Sequence, residues 1–293
     1  MVELLVANEK VVGSNPTLTA NIKYAMDYAR VMCVGKGRQV EAVLTLNATH
    51  LIKPKPTKTH VITPWQAKQA EDIFVNAGLS AEILSSINFI DERDWDTYDT
   101  MLPIYRQRSL WFYQQALKFT ALDILDSEAF LIQDCDVVPI RTYEPFIDGI
   151  PNVRVEMTMG HYNQMYVDEA VSFLSIPKTY DRSYVSELFP YLKRDYLSLK
   201  KHVMVLHGRD LLSALIAHGP MDDSCMKWLS EYEILGIWKD HIDPSWTKEE
   251  QTFVNLDFRP SVIKFRTRPS KFMTIEGASK AKEMINRLTR SFD

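Results

Sequence analysis

From about residue 58 onward, short apolar runs alternate with longer segments of helical period, which predicts an α/β protein. His60-Val61-Ile62-Thr63-Pro64 predicts a buried strand, and residues 65–77 a helix stopped by Gly78. Residues 81–84 and 87–90 predict a second strand region. Leu110, Tyr113, Leu117, Ala121 and Ile124 fall at helical spacing and predict one long helix over residues 107–125. A strand through Phe130-Leu131-Ile132 should follow and end at Asp134. Further apolar runs stand at residues 153–157, 203–206 and 261–265, with a helix after Asp210 and a closing amphipathic helix over residues 278–290.

The first 57 residues do not share this pattern and finish in the Pro-punctuated Lys53-Pro54-Lys55-Pro56. Gly13-Ser14-Asn15-Pro16 is also what the T-arm of a transfer-RNA gene encodes in this frame. The expectation is therefore an N-terminal extension over residues 1–57, spurious or poorly ordered, and one folded domain over residues 58–293.

Composition narrows the class of function. The chain has 293 residues, 46% hydrophobic and 25% charged, enough to build a sizeable core. A net charge of −4 and a pI near 6.0 argue against a nucleic-acid partner. No apolar run approaches the ~18 residues of a membrane span. The N-terminus has no basic leader, and Cys33, Cys135 and Cys225 are few, odd in number and far apart. A cytoplasmic protein without disulfides or zinc is expected.

Candidate chemistry begins with Asp134-Cys135-Asp136. Where a strand leaves the core, alternation turns both carboxylates to one side and Cys135 to the other. Two hard oxygen ligands there suit a divalent cation that also carries phosphate. Asp94-Trp95-Asp96 has the same spacing but follows no apolar strand and reads as a charged loop. On the long helix, Trp111, Gln115 and Lys118 share a face roughly opposite the apolar stripe. That face offers a flat ring, an amide and a point charge to a nucleotide; the plainer alternative is a half-exposed amphipathic surface. Ser230-Glu231-Tyr232-Glu233 places two carboxylates in an otherwise apolar stretch, after an N-cap signal at Asp222-Asp223-Ser224. Burial among apolar residues tends to raise a carboxyl pKa, which suits a general base, and an acidic helix turn on the surface is an equal alternative.

Taken together, W-x-x-Q-Q-x-x-K (Trp111, Gln114, Gln115, Lys118), D-x-D (Asp134, Asp136) and S-E-Y-E-x-x-G (Ser230 to Gly236) resemble a family of bacterial and phage glycosyltransferase-like proteins of the GT-A fold. The resemblance spans roughly residues 60–245. It implies a GT-A-like, Rossmann-like mixed sheet flanked by helices, with D-x-D at the end of a central strand. The implied activity is transfer of a sugar from a nucleotide-sugar donor to a glycan or cell-envelope acceptor. Trp111, Gln114, Gln115, Lys118 and Asp134 would bind the donor, and Asp134 and Asp136 would hold Mn²⁺ or Mg²⁺ with His241 as a further ligand. Glu231, or else Glu233, would be the base, and only one of the two should face the site, since they point about 200° apart on a helix. Three rivals remain: a haloacid-dehalogenase-like phosphatase using Asp134 and Asp136, a nucleotidyltransferase, and a non-catalytic carbohydrate-binding relative. The second would normally show a Gly-rich basic phosphate loop, which residues 58–293 lack.

Overall fold

In the strand Ala29-Arg30-Val31-Met32-Cys33, every residue is buried, the signature of a parallel strand covered on both faces. The computed structural model describes residues 26–95, 98–101, 110–139, 142–156, 161–186, 188–218, 229–251 and 262–264. That strand, β1 (Ala29–Cys33), is followed by α1 (Gln39–Asn47), β2 (Lys58–Thr63), α2 (Ala67–Asn76), the single-turn α3 (Ala81–Leu84) and β3 (Ile87–Asp91). Helix α4 (Leu110–Ile124) leads into β4 (Ala129–Gln133), then β5 (Val137–Pro139), β6 (Phe146–Ile147), β7 (Ile150–Glu156) and α5 (His161–Leu174). Strand β8 (Leu188–Leu192) precedes α6 (Lys193–His207), α7 (Leu211–His218), α8 (Glu231–Ile242), β9 (Thr247–Gln251) and β10 (Val262–Lys264).

The central sheet has the order β3-β2-β1-β4-β8. Its first four members run parallel, and β8 pairs antiparallel with β4. The pleat divides β1 between two cores. Val31 and Cys33 pack with Phe112, Leu117 and Phe119 of α4, whereas Met32 packs with Val43 and Leu46 of α1 and Phe74 of α2. The fold is thus mixed α/β, a mostly parallel sheet flanked by helices; the alternation predicts the α/β class, and the resemblance implies the mixed sheet. Smaller sheets, β6-β7-β9 and β10-β5, stand beside it. Among the described residues, no helix is long and apolar enough to cross a membrane.

The boundary expected at residue 57 falls elsewhere. β1 sits in the middle of the sheet, and α1 covers one of its faces. The pattern hid this strand because Arg30 interrupts its apolar run. The fully buried guanidinium donates to the Thr49 hydroxyl (2.6 Å) and to the Thr45 carbonyl (3.3 Å), near the end of α1. A cation placed there also meets the negative end of the helix dipole. Residues 1–25, the 222–224 cap and the closing helix at 278–290 lie outside the described residues.

Three other expectations change. Residues 81–84 form a helical turn capped by Ser80 rather than a strand. Residues 203–206 lie inside α6, and of these four only Val203 is buried. A short apolar run cannot by itself separate a strand from a helix segment. The face of α4 bearing Gln115 and Lys118 is not half-exposed, because both side chains are buried while Ile124 of the expected stripe is exposed.

Candidate active site

β2 flanks β1 on one side and β4 on the other, so the winding of the sheet reverses between β1 and β4. Past the carboxyl ends of two such strands the connections diverge and leave a crevice. A cavity of about 780 Å³ occupies it. Gly35, Lys36 and Arg38 line it from the β1 end, Asp134, Cys135 and Asp136 from the β4 end, and Ser230, Glu231 and Tyr232 from the start of α8.

Strand β4 stops at Gln133, so Asp134-Cys135-Asp136 form a turn rather than a strand end. The Gln133 amide donates to the Val137 carbonyl (2.7 Å) and the Thr45 hydroxyl to the Cys135 carbonyl (2.8 Å), which pins the turn to α1. Both aspartates still line the cavity, and Cys135 packs beneath them with Met32 and Val34.

Lys118, only 2% exposed, is the centre of the site. Its ammonium donates to Asp134, to Glu231 Oε1 (2.5 Å) and to the Tyr232 hydroxyl (3.0 Å), and that hydroxyl donates to Asp134 Oδ1 (2.8 Å). Burial pulls the lysine pKa down, but Asp134 and Glu231 overcome it and hold it well above the ordinary value. Burial pushes the Glu231 carboxyl up, and Lys118 pulls it back. Gln115 accepts from the Glu231 backbone N–H (3.1 Å), so α4 anchors the first turn of α8. Motif residues separated by more than a hundred positions thereby meet at one cation.

Asp136 is met by a residue the motif reading lacked. Arg38 Nη2 lies 2.6 Å from Asp136 Oδ2 and its Nη1 lies 3.4 Å from Glu41. Gly35-Lys36-Gly37-Arg38 is a Gly-rich basic loop between a strand and a helix, and Gly37 adopts a φ of 82° that other residues strain to reach. Its signal was present in the chain, but the boundary at residue 57 set it outside the domain.

This donor set does not fit the expected Mn²⁺ or Mg²⁺ as it stands. Each aspartate already has a protein cation against it, Lys118 on Asp134 and Arg38 on Asp136. Among the described residues, no group of three or more His, Cys, Asp and Glu side chains is placed to hold a metal ion. His241 does not join the aspartates; it is exposed near the end of α8, its ring 5.5 Å from that of Trp238, and is not part of the cavity lining.

The S-E-Y-E-x-x-G motif divides between two faces of α8. Glu231 and Tyr232 turn to the cavity. Glu233 turns away and is fully buried, accepting from Lys178 (2.5 Å), the Ser183 hydroxyl (2.7 Å) and the Tyr184 N–H (2.8 Å). Gly236 lies under the Tyr184 ring, where a Cβ would stand 2.2 Å from its Cγ. The second half of the motif thus holds the 178–184 segment against the helix.

At another part of the cavity, Trp111 and Tyr166 pair with centroids 5.4 Å apart, and Gln114 lines the wall beside them. Asp94 is not part of the lining, and Asp96 lies outside the described residues.

No protein-family model matches this chain, and no curated protein does. Among solved structures, the galactosyltransferase LgtC in complex with donor and acceptor sugar analogs aligns with a TM-score of 0.47 at 8% identity, over 90% of this chain and 95% of that one. Mouse xyloside xylosyltransferase 1 aligns at 0.44 and 11% identity, over 83% and 98%. The glycosyltransferase GlyE of Streptococcus pneumoniae TIGR4 aligns at 0.42 and 8% identity, over 92% of this chain and 63% of that one.

Proposed function

We propose that this chain is a GT-A-like glycosyltransferase that moves a sugar from a nucleotide-sugar donor to a hydroxyl of a glycan or cell-envelope acceptor. The observation that carries the reading is the convergence of W-x-x-Q-Q-x-x-K, D-x-D and the Ser230-Glu231-Tyr232 half of the third motif on one cavity at the switch point of the sheet. The cavity has the size and mixed lining of a small-molecule site. Trp111 and Tyr166 offer a flat wall to a base or sugar ring, and Gln114 and Gln115 offer amides to its hydroxyls.

In the transfer, the bond between the anomeric carbon and the diphosphate oxygen breaks, and its electron pair leaves with the nucleoside diphosphate. The acceptor oxygen forms the new bond to that carbon and gives its proton to a carboxylate. Glu231 is that base: it lines the cavity, and burial raises its proton affinity towards working pH. Lys118 stands between Glu231 and Asp134, bonded to both, and opposes the upward push of burial on the Glu231 carboxyl. Glu233 takes no part, since Lys178, Ser183 and Tyr184 already occupy it outside the cavity.

Turnover of a panel of nucleotide sugars, read as release of nucleoside diphosphate with and without acceptor glycans, tests this. Glu231→Gln should cut turnover by roughly 10²–10⁴-fold while nucleotide still binds, and Glu233→Gln should lower stability without that loss in the folded fraction. Full turnover in Glu231→Gln removes the assigned base. Release of inorganic phosphate from phosphomonoesters, with every nucleotide sugar left intact, would replace the reading with the phosphatase.

A further inference from the structure

We propose that the diphosphate of the donor is held on the Gly35-Lys36-Gly37-Arg38 loop without a divalent cation, Arg38 standing between Asp136 and the phosphates where a metal ion would otherwise bridge them. The inference rests on the glycosyltransferase reading for the identity of the ligand. Its geometry rests on four observations.

First, Arg38 already sits on Asp136 at 2.6 Å. A guanidinium has five N–H donors in a planar fork, so Asp136 on Nη2 and Glu41 at 3.4 Å from Nη1 still leave donors over for phosphate oxygens. Second, Lys36 lines the same cavity, is exposed, and makes no ion pair among the described residues. Third, Arg38 is the N-cap residue of α1 and makes no side-chain capping bond. The Glu41 carboxylate in the first turn already takes its own backbone N–H, and the other first N–H groups of a helix attract anions. Gly37, at a φ of 82°, turns the chain into that helix. Fourth, Gln115 also lines this cavity and is 4% exposed, and its Nε2 has no hydrogen-bond partner. A buried amide donor without an acceptor is costly, and a ligand oxygen would satisfy it.

The chemistry is consistent with charge. A departing diphosphate needs positive charge preorganised around it, and fixed guanidinium and ammonium groups supply that as a metal ion does. A divalent cation at these aspartates would share Asp136 with Arg38 and Asp134 with Lys118 and the Tyr232 hydroxyl, placing like charges side by side.

Calorimetric titration of the intact chain with UDP, GDP, CDP, dTDP and inorganic pyrophosphate, in EDTA and then in Mn²⁺, tests the proposal. At least one nucleotide, with pyrophosphate more weakly, should bind in EDTA with an affinity that Mn²⁺ changes by less than about twofold. Arg38→Ala should weaken that binding roughly tenfold or more, as loss of a charge-assisted contact does. Lys36→Ala, at an exposed position without an ion pair, should weaken it in the same direction and guards against misfolding in the arginine variant. Binding that appears only with Mn²⁺ overturns the metal-free site and leaves the transferase reading standing. Binding in EDTA that neither variant weakens overturns the loop assignment. If no nucleotide binds in either condition, the transferase reading fails, and the inference with it.

Discussion

At the scale of single residues, Lys118 decides most. A lone buried ammonium is expensive, and this one is stable because two carboxylates and a phenol surround it. Lys118→Met should therefore destabilise the chain by about 3–5 kcal/mol, because it leaves Asp134 and Glu231 facing each other without a counter-charge. The loss should depend on pH. Burial already raises the Glu231 carboxyl, and removal of the lysine raises it further. The unfolded chain gives up that proton first, near pH 4, so the variant should lose stability against the parent as pH rises from there through the raised value. Urea melts of both chains at pH 5 and pH 8 check this; an equal difference at the two values counts against the buried cage. The chain shows Lys118, Asp134 and Glu231 as motif residues, but not that they touch one another. That contact spans more than a hundred residues, beyond what local periodicity reports.

Among the elements, α8 shows how one motif serves two ends. Successive helical residues are offset by about 100°, so Glu231 and Glu233 point to different surroundings. The sequence foresees that split and names Glu231 first; in the structure the cavity receives Glu231, and Lys178 receives Glu233. Gly236 reads as a motif residue without a reason until Tyr184 is seen packed on it. Gly236→Ala should cost about 1–3 kcal/mol by overpacking, measured by urea unfolding. Combined with Tyr184→Ala, its cost should be less than additive, since the clash is then gone. Fully additive costs would mean that the ring does not set the constraint. Helix α4 teaches the converse. It is amphipathic on paper, yet Gln115 and Lys118 are buried because the cavity floor, not solvent, lies on their side.

For the whole molecule, the decisive fact is that β1 is the middle strand, paired with β2 and β4 at once. A chain beginning at residue 58 lacks it, along with the loop that carries Lys36 and Arg38. That shortened chain should fail to fold, shown by loss of cooperative thermal unfolding in circular dichroism; a cooperative melt like that of the full chain would place the domain boundary back at residue 57. The sequence by itself determined the α/β alternation from about residue 58, the D-x-D of Asp134 and Asp136 and the inward side of Cys135, because each leaves a local mark in spacing or apolar context. Trp111, Gln115, Lys118 and Glu231 stood out only through the resemblance, spacing alone leaving an ordinary surface as open. Only the tertiary structure decided that β1 belongs to the sheet, that the D-x-D aspartates sit on a turn with Arg38 and Lys118 against them, and that Glu233 and His241 stand apart from the cavity. Those outcomes depend on which distant segments lie side by side, and strand order is set by packing across the sheet rather than by any run of neighbouring residues.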